Sequence, residues 1–171
     1  MIDLAALVRA VPDFPVPGVL FRDLSPLLRD PAATRATIES LLAPFRHSRI
    51  ELVAGIEARG FIFGALAASR LEVGFVPLRK AGKLPAAVES VSYELEYGKA
   101  TLEVQRDAIR RGCRVLLVDD VLATGGTALA AANLLERLSA EVVGLGFVLE
   151  LAALGGRQKL KGRTLSSVLA L

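Results

Sequence analysis

The side chains best suited to chemistry in this sequence lie between residues 119 and 127. Asp119 and Asp120 follow an apolar run at residues 115–118, and a small-residue loop at residues 123–127 leads into an Ala/Leu-rich segment at residues 128–138. This order predicts a strand, an acidic turn, a glycine-rich loop and a helix. Free N–H groups at a helix N-terminus favour phosphate, whereas carboxylates suit hydroxyl groups or a metal. The segment therefore predicts a sugar-phosphate site.

Other phosphate-binding loops fit this segment less well. A Walker A loop requires a lysine after its last glycine, and no lysine follows Gly126. The dinucleotide pattern G-x-G-x-x-G is absent. For the loop alone, an ordinary strand-to-helix turn with a capping threonine is the alternative. The apolar run and the acid pair favour a site for a single terminal phosphate.

The elements that must position these residues alternate along the chain. Apolar runs at residues 51–56, 74–78, 115–118 and 142–149 predict strands, and residues 60–71 and 128–138 predict helices. This alternation is typical of a parallel sheet covered by helices on both faces. Ligands bind beyond the carboxyl ends of such strands, so one rim should collect Asp119, Glu57 and Arg79, which we expect just after strands.

Three further segments have local signals. Residues 11–29 contain several prolines and are predicted to be extended or turning, not helical. Asp30 and Pro31 open a helix that is expected to reach about Phe45, with Asp30 as its N-cap. Residues 81–105 contain a turn and two strand-like runs, which predict a hairpin or lid.

Composition and charge restrict the class of protein. The 171 residues are predicted to form one domain, including a segment at about 1–30 and the lid at about 81–105, and to bury roughly 70% of the unfolded surface. No apolar run reaches the ~18 residues of a membrane span, and the N-terminus lacks a basic signal region. Cys113 is the only cysteine, so neither an intrachain disulfide nor a cysteine metal cluster can form. A soluble cytoplasmic protein is expected. A net charge of only +3, spread along the chain, argues against nucleic acid as a partner.

The loop at residues 123–127 with its acid pair resembles the phosphoribosyl-diphosphate motif of the type I phosphoribosyltransferases. Three more stretches, at residues 14–31, 54–64 and 79–109, extend the similarity from about residue 14 to about residue 160. The stretches at 14–31 and 92–103 are similar to the adenine-specific branch of this family. The resemblance implies a central parallel sheet flanked by helices, an N-terminal hood segment that binds the base, and a flexible hairpin lid.

The resemblance also assigns the phosphoribosyl diphosphate site. It implies that Asp119 and Asp120 hold the ribose 2′- and 3′-hydroxyls. The 5′-phosphate would be bound by Ala123, Thr124, Gly125, Gly126 and Thr127. The diphosphate would be bound by Glu57, Ala58, Arg59, Arg79, Lys80 and Lys83.

Many relatives have serine at the position of Ala58, so diphosphate binding here is expected to depend on backbone amides and Arg59. A strained non-proline peptide bond is expected between Glu57 and Ala58. Mg²⁺ would be bound mainly through the substrate diphosphate and ribose hydroxyls, without a dedicated protein metal site.

Catalytic and base-binding residues follow from the same resemblance. Glu96 and Tyr97 in the lid are the candidate catalytic residues, and Glu96 would accept the proton from the purine ring. The adenine pocket would be formed by Leu20, Phe21, Arg22 and Val121, with backbone groups near Leu20 and Arg22 reading the edge of the base. The resemblance implies a homodimer, in which Arg79 reaches the neighbouring subunit's site.

The sequence thus favours an enzyme that converts adenine and phosphoribosyl diphosphate to AMP and diphosphate in purine salvage. One alternative is a phosphoribosyltransferase for 6-oxopurines or xanthine. It is disfavoured because the C-terminal part has no added lysine placed like the one that such enzymes use near the 6-oxygen. The other alternative is a non-catalytic regulator that senses phosphoribosyl diphosphate. It is disfavoured by the absence of an extra DNA-binding domain and by the presence of Glu96 and the basic residues Arg79 and Lys80.

Overall fold

The computed structural model describes residues 2–94 and 98–171 of the chain. Contacts between Cα atoms group the chain into two compact units, Met1–Ser40 and Leu41–Leu171. The prediction of a single domain stays a prediction.

The first unit contains a small antiparallel ribbon. Strands β1 (Arg9–Val11) and β2 (Phe21–Asp23) pair so that Arg9 lies opposite Asp23. The Asp23 carboxylate accepts hydrogen bonds from the Arg9 Nε–H at 3.0 Å and from the Ser25 amide at 2.8 Å. Hydrogen bonds from Ser25 and Arg9 lower the pKa of Asp23 to about 2. The charged carboxylate therefore ties the ribbon to the start of the next helix.

Two helices follow the ribbon, and the first corrects an expectation. The segment 11–29 was predicted to be non-helical, but Ser25–Arg29 form the short helix α1. Proline is tolerated in a first helical turn because no intrahelical partner awaits its missing N–H there, and Pro26 occupies such a position. Helix α2 (Pro31–Leu42) begins as predicted, since the Asp30 carboxylate accepts the amides of Ala32 and Ala33 at 2.8 and 3.0 Å.

The second unit is built on a seven-stranded sheet with the order β5-β6-β4-β3-β7-β8-β9. The strands are β3 (Leu52–Ile56), β4 (Gly74–Lys80), β5 (Val88–Glu94), β6 (Lys99–Gln105), β7 (Arg114–Leu122), β8 (Glu141–Glu150) and β9 (Leu165–Ala170). The five strands from β4 to β9 in this order are parallel, while β6 is antiparallel to both β4 and β5. The predicted parallel core and hairpin are both confirmed.

Three helices accompany this sheet: α3 (Gly60–Leu71), α4 (Gly126–Arg137) and the short α5 (Gly156–Lys159). Helix α3 has the bounds that its sequence pattern predicts, and α4 begins at Gly126, slightly before the predicted start. The residues of the apolar run 115–118 are at most 1% exposed, as expected of a central strand. The edge strand β9 and the helix α5 were not predicted.

Strand β7 does not end where the apolar run ends. It continues through both acids to Leu122 because β8 keeps pairing with it, with Asp119 opposite Phe147. Its other neighbour, β3, has its last register position with β7 at Gly55 opposite Val118. Among the described residues, the acids therefore lie on a strand that is paired on one side only.

Strand β4 also extends further than predicted, to Lys80, because Arg79 and Lys80 pair with β6. Both basic residues are therefore part of the strand and do not follow it. In the hairpin of β5 and β6, the Arg137 guanidinium at the end of α4 donates to the Ser90 carbonyl at 3.1 Å. Within the part of the chain that the structure describes, no helix is long and apolar enough to cross a membrane.

Candidate active site

A cavity of about 820 Å³ lies beyond the carboxyl ends of β3 and β7 in the second unit. The residues that line it include Glu57, Ala58, Arg59, Lys80, Asp119, Asp120 and Thr127. These residues come from three separate stretches of the sequence, around residues 57–59, residue 80 and residues 119–127. Parallel strand ends bring Glu57 and Asp119 to one rim, as the sequence predicts. The cavity is therefore the candidate active site.

The acid pair forms one wall of this cavity. Asp120 is only 7% exposed and forms an ion pair with the Arg59 guanidinium. The Asp119 carboxylate accepts the amide N–H of Asp120 at 2.8 Å. Burial of the Asp119 carboxyl, together with the negative charge of Asp120, raises the pKa of Asp119 well above its usual value. The two acids differ electrostatically: one is paired with a cation, and the other is held in a site that disfavours its charge.

Gly60 brings the loop after β3 against this acid pair. A Cβ atom at Gly60 would lie 2.7 Å from Oδ1 of Asp119 and 3.1 Å from the Val118 carbonyl oxygen. No larger residue fits without displacing the acid. Helix α3 begins at this glycine, so the tight approach fixes the distance between the loop at residues 57–59 and β7.

Glu57 contacts the basic cluster across the cavity rim. Its carboxylate accepts the Lys80 amide at 2.8 Å, forms an ion pair with the Lys83 ammonium group and lies 3.6 Å from Nε of Arg79. Although burial acts in the opposite direction, the Lys83 and Lys80 hydrogen bonds lower the pKa of Glu57. The Glu57 carboxylate therefore binds the basic residues and positions them at the rim. The peptide bond between Glu57 and Ala58 is cis, at the position where a strained non-proline peptide was expected.

Arg79 is held within its own chain. Its Nη1 donates to the Lys83 carbonyl at 3.2 Å, and its buried Nε makes no hydrogen bond among the described residues. The guanidinium is therefore positioned by Glu57 and Lys83, with donor capacity that these neighbours do not fully use.

The phosphate loop surrounds a small cavity of about 80 Å³, lined by Asp119 and residues 121–128. Gly125 caps α4 with a φ of +78°, a conformation that favours glycine. The loop also lies against Gly156, since a Cβ atom there would be only 2.2 Å from the Ala123 carbonyl oxygen. The glycines thus give the loop its shape and its support.

The remaining predicted residues fall in three different parts of the chain. Leu20, Phe21 and Arg22 belong to the first unit, where Leu20 is 50% exposed and Phe21 packs edge to face with Phe14 at 5.1 Å. Val121 belongs to β7 in the second unit and lines the small cavity of the phosphate loop. Glu96 and Tyr97 lie outside the described residues.

Sequence reasoning missed further cavity residues on the hairpin, namely Tyr93, Lys99 and Thr101. Their alternation with apolar residues along β5 and β6 was the available signal. It also missed Lys159, whose Nζ lies 4.0 Å from a Cβ atom built on Gly126. The described residues contain no group of three or more His, Cys, Asp or Glu side chains that could hold a metal ion.

Comparison with known proteins identifies the family. Residues 32–165 match the model of the phosphoribosyl transferase domain. The chain is 60% identical over 166 residues to an adenine phosphoribosyltransferase of Methylococcus capsulatus, and the match covers 97% of each protein. The chain belongs to the adenine phosphoribosyltransferase family of phosphoribosyltransferases. The resemblance seen in the sequence is thereby confirmed.

Solved structures of the family have the same fold. The adenine phosphoribosyltransferase of Rhodothermus marinus superposes with a TM-score of 0.95 at 50% identity, covering 98% of this chain and 96% of that one. The enzyme of Saccharomyces cerevisiae, bound to adenine and to an imino-altritol bisphosphate, has a TM-score of 0.92 at 42% identity and covers 98% and 97% of the two chains. The predicted fold, a mostly parallel sheet flanked by helices, is confirmed.

Proposed function

We propose that this protein transfers the phosphoribosyl group of 5-phospho-α-D-ribose 1-diphosphate to adenine, giving AMP and diphosphate in purine salvage. The observation that carries the proposal is a cavity lined by an acid pair and by the basic residues Arg59 and Lys80, which shares Asp119 and Thr127 with the smaller cavity of the phosphate loop. The names of the relatives and the adenine bound by the Saccharomyces cerevisiae enzyme support adenine as the base.

The acid pair and the phosphate loop would hold the two ends of the ribose phosphate. Asp119 and Asp120 accept hydrogen bonds from the ribose 2′- and 3′-hydroxyls. The N–H groups of Gly126 and Thr127, at the start of α4, donate to the 5′-phosphate. With both ends fixed, C1 of the ribose has one position relative to the cavity, and this orientation accounts for part of the rate.

The basic residues at the rim would stabilise the leaving diphosphate. Its negative charge grows as the C1–O bond breaks. The side chains of Arg79 and Lys83 are held by Glu57, which also accepts the Lys80 amide, before that happens. The backbone around Ala58 and the Arg59 side chain complete the diphosphate site.

A resident metal ion is not built into this site. Asp120 is paired with Arg59, and the other acid binds a backbone amide, so the carboxylates fit a metal that arrives with the substrate better than a protein cage. Mg²⁺ carried by the diphosphate and the ribose hydroxyls would neutralise charge on the leaving group. Asp119 and Asp120, which would hold the ribose hydroxyls, would be the protein groups that face it.

The base would be deprotonated as it attacks C1. Glu96 accepts the proton from the imidazole ring, and Tyr97, the other candidate catalytic residue, belongs to the same predicted lid. Backbone groups near Leu20 and Arg22 read the amino group and N1 of adenine, and Phe21 and Val121 provide apolar cover. A closed lid excludes water, which would otherwise attack the same carbon.

A homodimer in the cytoplasm is part of the proposal. Ile62 and Leu66 on one face of α3 are 43% and 38% exposed, an apolar pair at helical spacing that suits burial against a second copy. In this dimer, we propose that Arg79, while kept in place by Glu57 and Lys83 of its own chain, contributes its charge to the diphosphate site of the neighbouring subunit.

Product analysis of a substrate panel tests the proposed function. The purified protein is incubated with phosphoribosyl diphosphate, Mg²⁺ and adenine, hypoxanthine or xanthine, and AMP, IMP, XMP and diphosphate are quantified. We expect AMP and stoichiometric diphosphate from adenine. IMP or XMP as the main product would assign the protein to the 6-oxopurine or xanthine enzymes. A nucleic-acid gel shift without diphosphate release would assign it to the regulators.

A further inference from the structure

Helix α5 brings a cation to the phosphate loop from a distant part of the chain. Nζ of Lys159 lies 4.0 Å from a Cβ atom built on Gly126, and Oγ1 of Thr124 lies 3.9 Å from the same point. We propose that Lys159 binds the 5′-phosphate together with the loop, as an additional substrate-binding residue. This inference rests on the proposed function, because it adds a residue to the same phosphate site.

The position of α5 is fixed by direct contact with the loop backbone. A Cβ atom at Gly156 would lie 2.2 Å from the carbonyl oxygen of Ala123, and one at Gly125 would lie 2.7 Å from the carbonyl oxygen of Gly156. At this point the backbones of the two segments are in direct contact, with no side chain between them. A side chain one turn further along α5 therefore has a defined position relative to the N-terminus of α4.

Buried contacts hold α5 at both ends. Near its start, the Arg157 guanidinium donates to both oxygens of the buried Glu150 carboxylate at 2.9 and 2.5 Å, and the Ser167 hydroxyl donates to the same carboxylate at 2.8 Å. At its end, Leu160 is 2% exposed. Lys159 lies between these anchors, so its backbone is fixed while its side chain remains exposed.

Lys159 differs from the basic residues near it in its ion pairing. Arg157 is paired with Glu150, and Arg163 is paired with Glu136. Within residues 2–94 and 98–171, by contrast, no carboxylate lies within ion-pair distance of Lys159. A cation beside a helix N-terminus adds to the positive end of the helix dipole, an unfavourable arrangement that a bound dianion would reverse. The loop itself contains no lysine, so Lys159 supplies the charge that its sequence lacks.

The test compares Lys159→Gln, Lys159→Arg and the control Lys161→Gln, an exposed lysine on the turn that follows α5. Affinity for ribose 5-phosphate and for adenosine is measured by calorimetry, with a thermal melt for each variant. We expect Lys159→Gln to weaken ribose 5-phosphate binding roughly 10- to 100-fold, the range for a lost charge-assisted hydrogen bond. Adenosine binding should be unchanged, Lys159→Arg should restore most of the affinity, and Lys161→Gln should match the wild type.

Wild-type affinity for ribose 5-phosphate in Lys159→Gln would overturn the assignment. So would equal weakening of ribose 5-phosphate and adenosine, which would indicate a general structural effect. The outcome is separate from that of the proposed function. If the wild type makes no AMP but Lys159→Gln still loses affinity for ribose 5-phosphate, the assignment of Lys159 stands and the proposed function fails. If the wild type makes AMP and the variant binds normally, only the role of Lys159 fails.

Discussion

At the scale of single residues, Asp119 and Asp120 place two carboxylates side by side at the edge of a cavity. Asp120 is compensated by the Arg59 guanidinium, whereas Asp119 is held where burial and its neighbour's charge raise its pKa. An arrangement of this kind costs stability in the free protein and becomes favourable only when a ligand offers hydroxyl groups.

We expect Asp119→Asn to stabilise the free protein at neutral pH while weakening its use of phosphoribosyl diphosphate. Because the pKa of Asp119 is raised in the folded state, the folded protein binds more protons than the unfolded chain between the two pKa values, and stability falls as the pH rises through that window. The variant lacks this penalty, and its amide oxygen can still accept the Asp120 amide. Thermal melts at about pH 7.5 should show a higher Tm for the variant than for the wild type. At about pH 4 this difference in Tm should be smaller.

Asp120→Asn is the matched control for this experiment. It removes the ion pair with Arg59, so we expect a lower Tm at neutral pH together with lost activity. An Asp119→Asn protein that melts below the wild type at pH 7.5, or that keeps a normal kcat/KM for phosphoribosyl diphosphate, would contradict the account of the acid pair.

Gly60→Ala should abolish most activity although alanine favours a helix. Its Cβ atom would meet Oδ1 of Asp119 at 2.7 Å and displace the acid that we propose holds the ribose. Gly64→Ala, one turn later in α3, is the comparison, because its Cβ atom would meet the Phe75 ring at 2.8 Å and affect packing away from the acid pair. Steady-state kinetics and melts should show lost kcat/KM in the first variant and mainly lower stability in the second. Equal kinetic effects would contradict the assignment.

At the scale of elements, the sequence predicts those helices and strands whose bounds are set by nearby residues, such as a capping side chain or a periodic apolar pattern. Helix α3 and the start of α2 follow from periodicity and from the Asp30 cap, and the hairpin of β5 and β6 follows from its turn. The end of β7 could not be predicted, since it depends on pairing with β8, which is distant in sequence. The position of α5 beside the phosphate loop also could not be predicted. It depends on close backbone packing at a glycine, which leaves no periodic pattern in the sequence.

Gly156→Ala tests the contact between these two elements. The Cβ atom would overlap the Ala123 carbonyl oxygen at 2.2 Å, so either the phosphate loop or α5 must move. We expect a KM for phosphoribosyl diphosphate raised at least roughly 10-fold, together with a lower Tm, because overpacking against backbone costs about 1–3 kcal/mol. The KM for adenine serves as the internal control and should change little. A variant with unchanged kinetics and Tm would show that the contact tolerates a side chain.

At the scale of the whole molecule, stability in acid depends on carboxylates that are hydrogen-bonded to arginines, one of them buried (Glu150) and one exposed (Glu136). Hydrogen bonds from Arg157 lower the pKa of Glu150, and hydrogen bonds from Arg163 lower the pKa of Glu136. A lowered pKa means that each group stabilises the fold above its ordinary pKa, and that this stabilisation is lost as the pH falls through the lower value of the folded state.

Glu150→Gln should therefore destabilise the protein at neutral pH and less in acid. We expect a loss of about 1–2 kcal/mol in the free energy of unfolding at about pH 7, discounted because Arg157 is half exposed to solvent. At about pH 3, below the ordinary pKa of glutamate, the difference should narrow, since the unfolded wild-type chain is then protonated at this position. Urea unfolding of the wild type and the variant at the two pH values measures the loss in the free energy of unfolding at each pH. A deficit that is constant or grows in acid would show that the ion pair does not cause the pH dependence.

The central claim, that one cavity uses phosphoribosyl diphosphate to make AMP, is tested most directly by the ratio of kcat/KM for adenine to that for hypoxanthine. Adenine offers a donor at position 6 and an acceptor at N1, and hypoxanthine reverses both. The backbone groups near Leu20 and Arg22, which we propose read the base, cannot exchange donor and acceptor roles. Each buried mismatch costs about 1–3 kcal/mol. We predict a ratio of roughly 10²–10⁴ in favour of adenine. Comparable values for the two bases would contradict the account and place the protein among the 6-oxopurine enzymes.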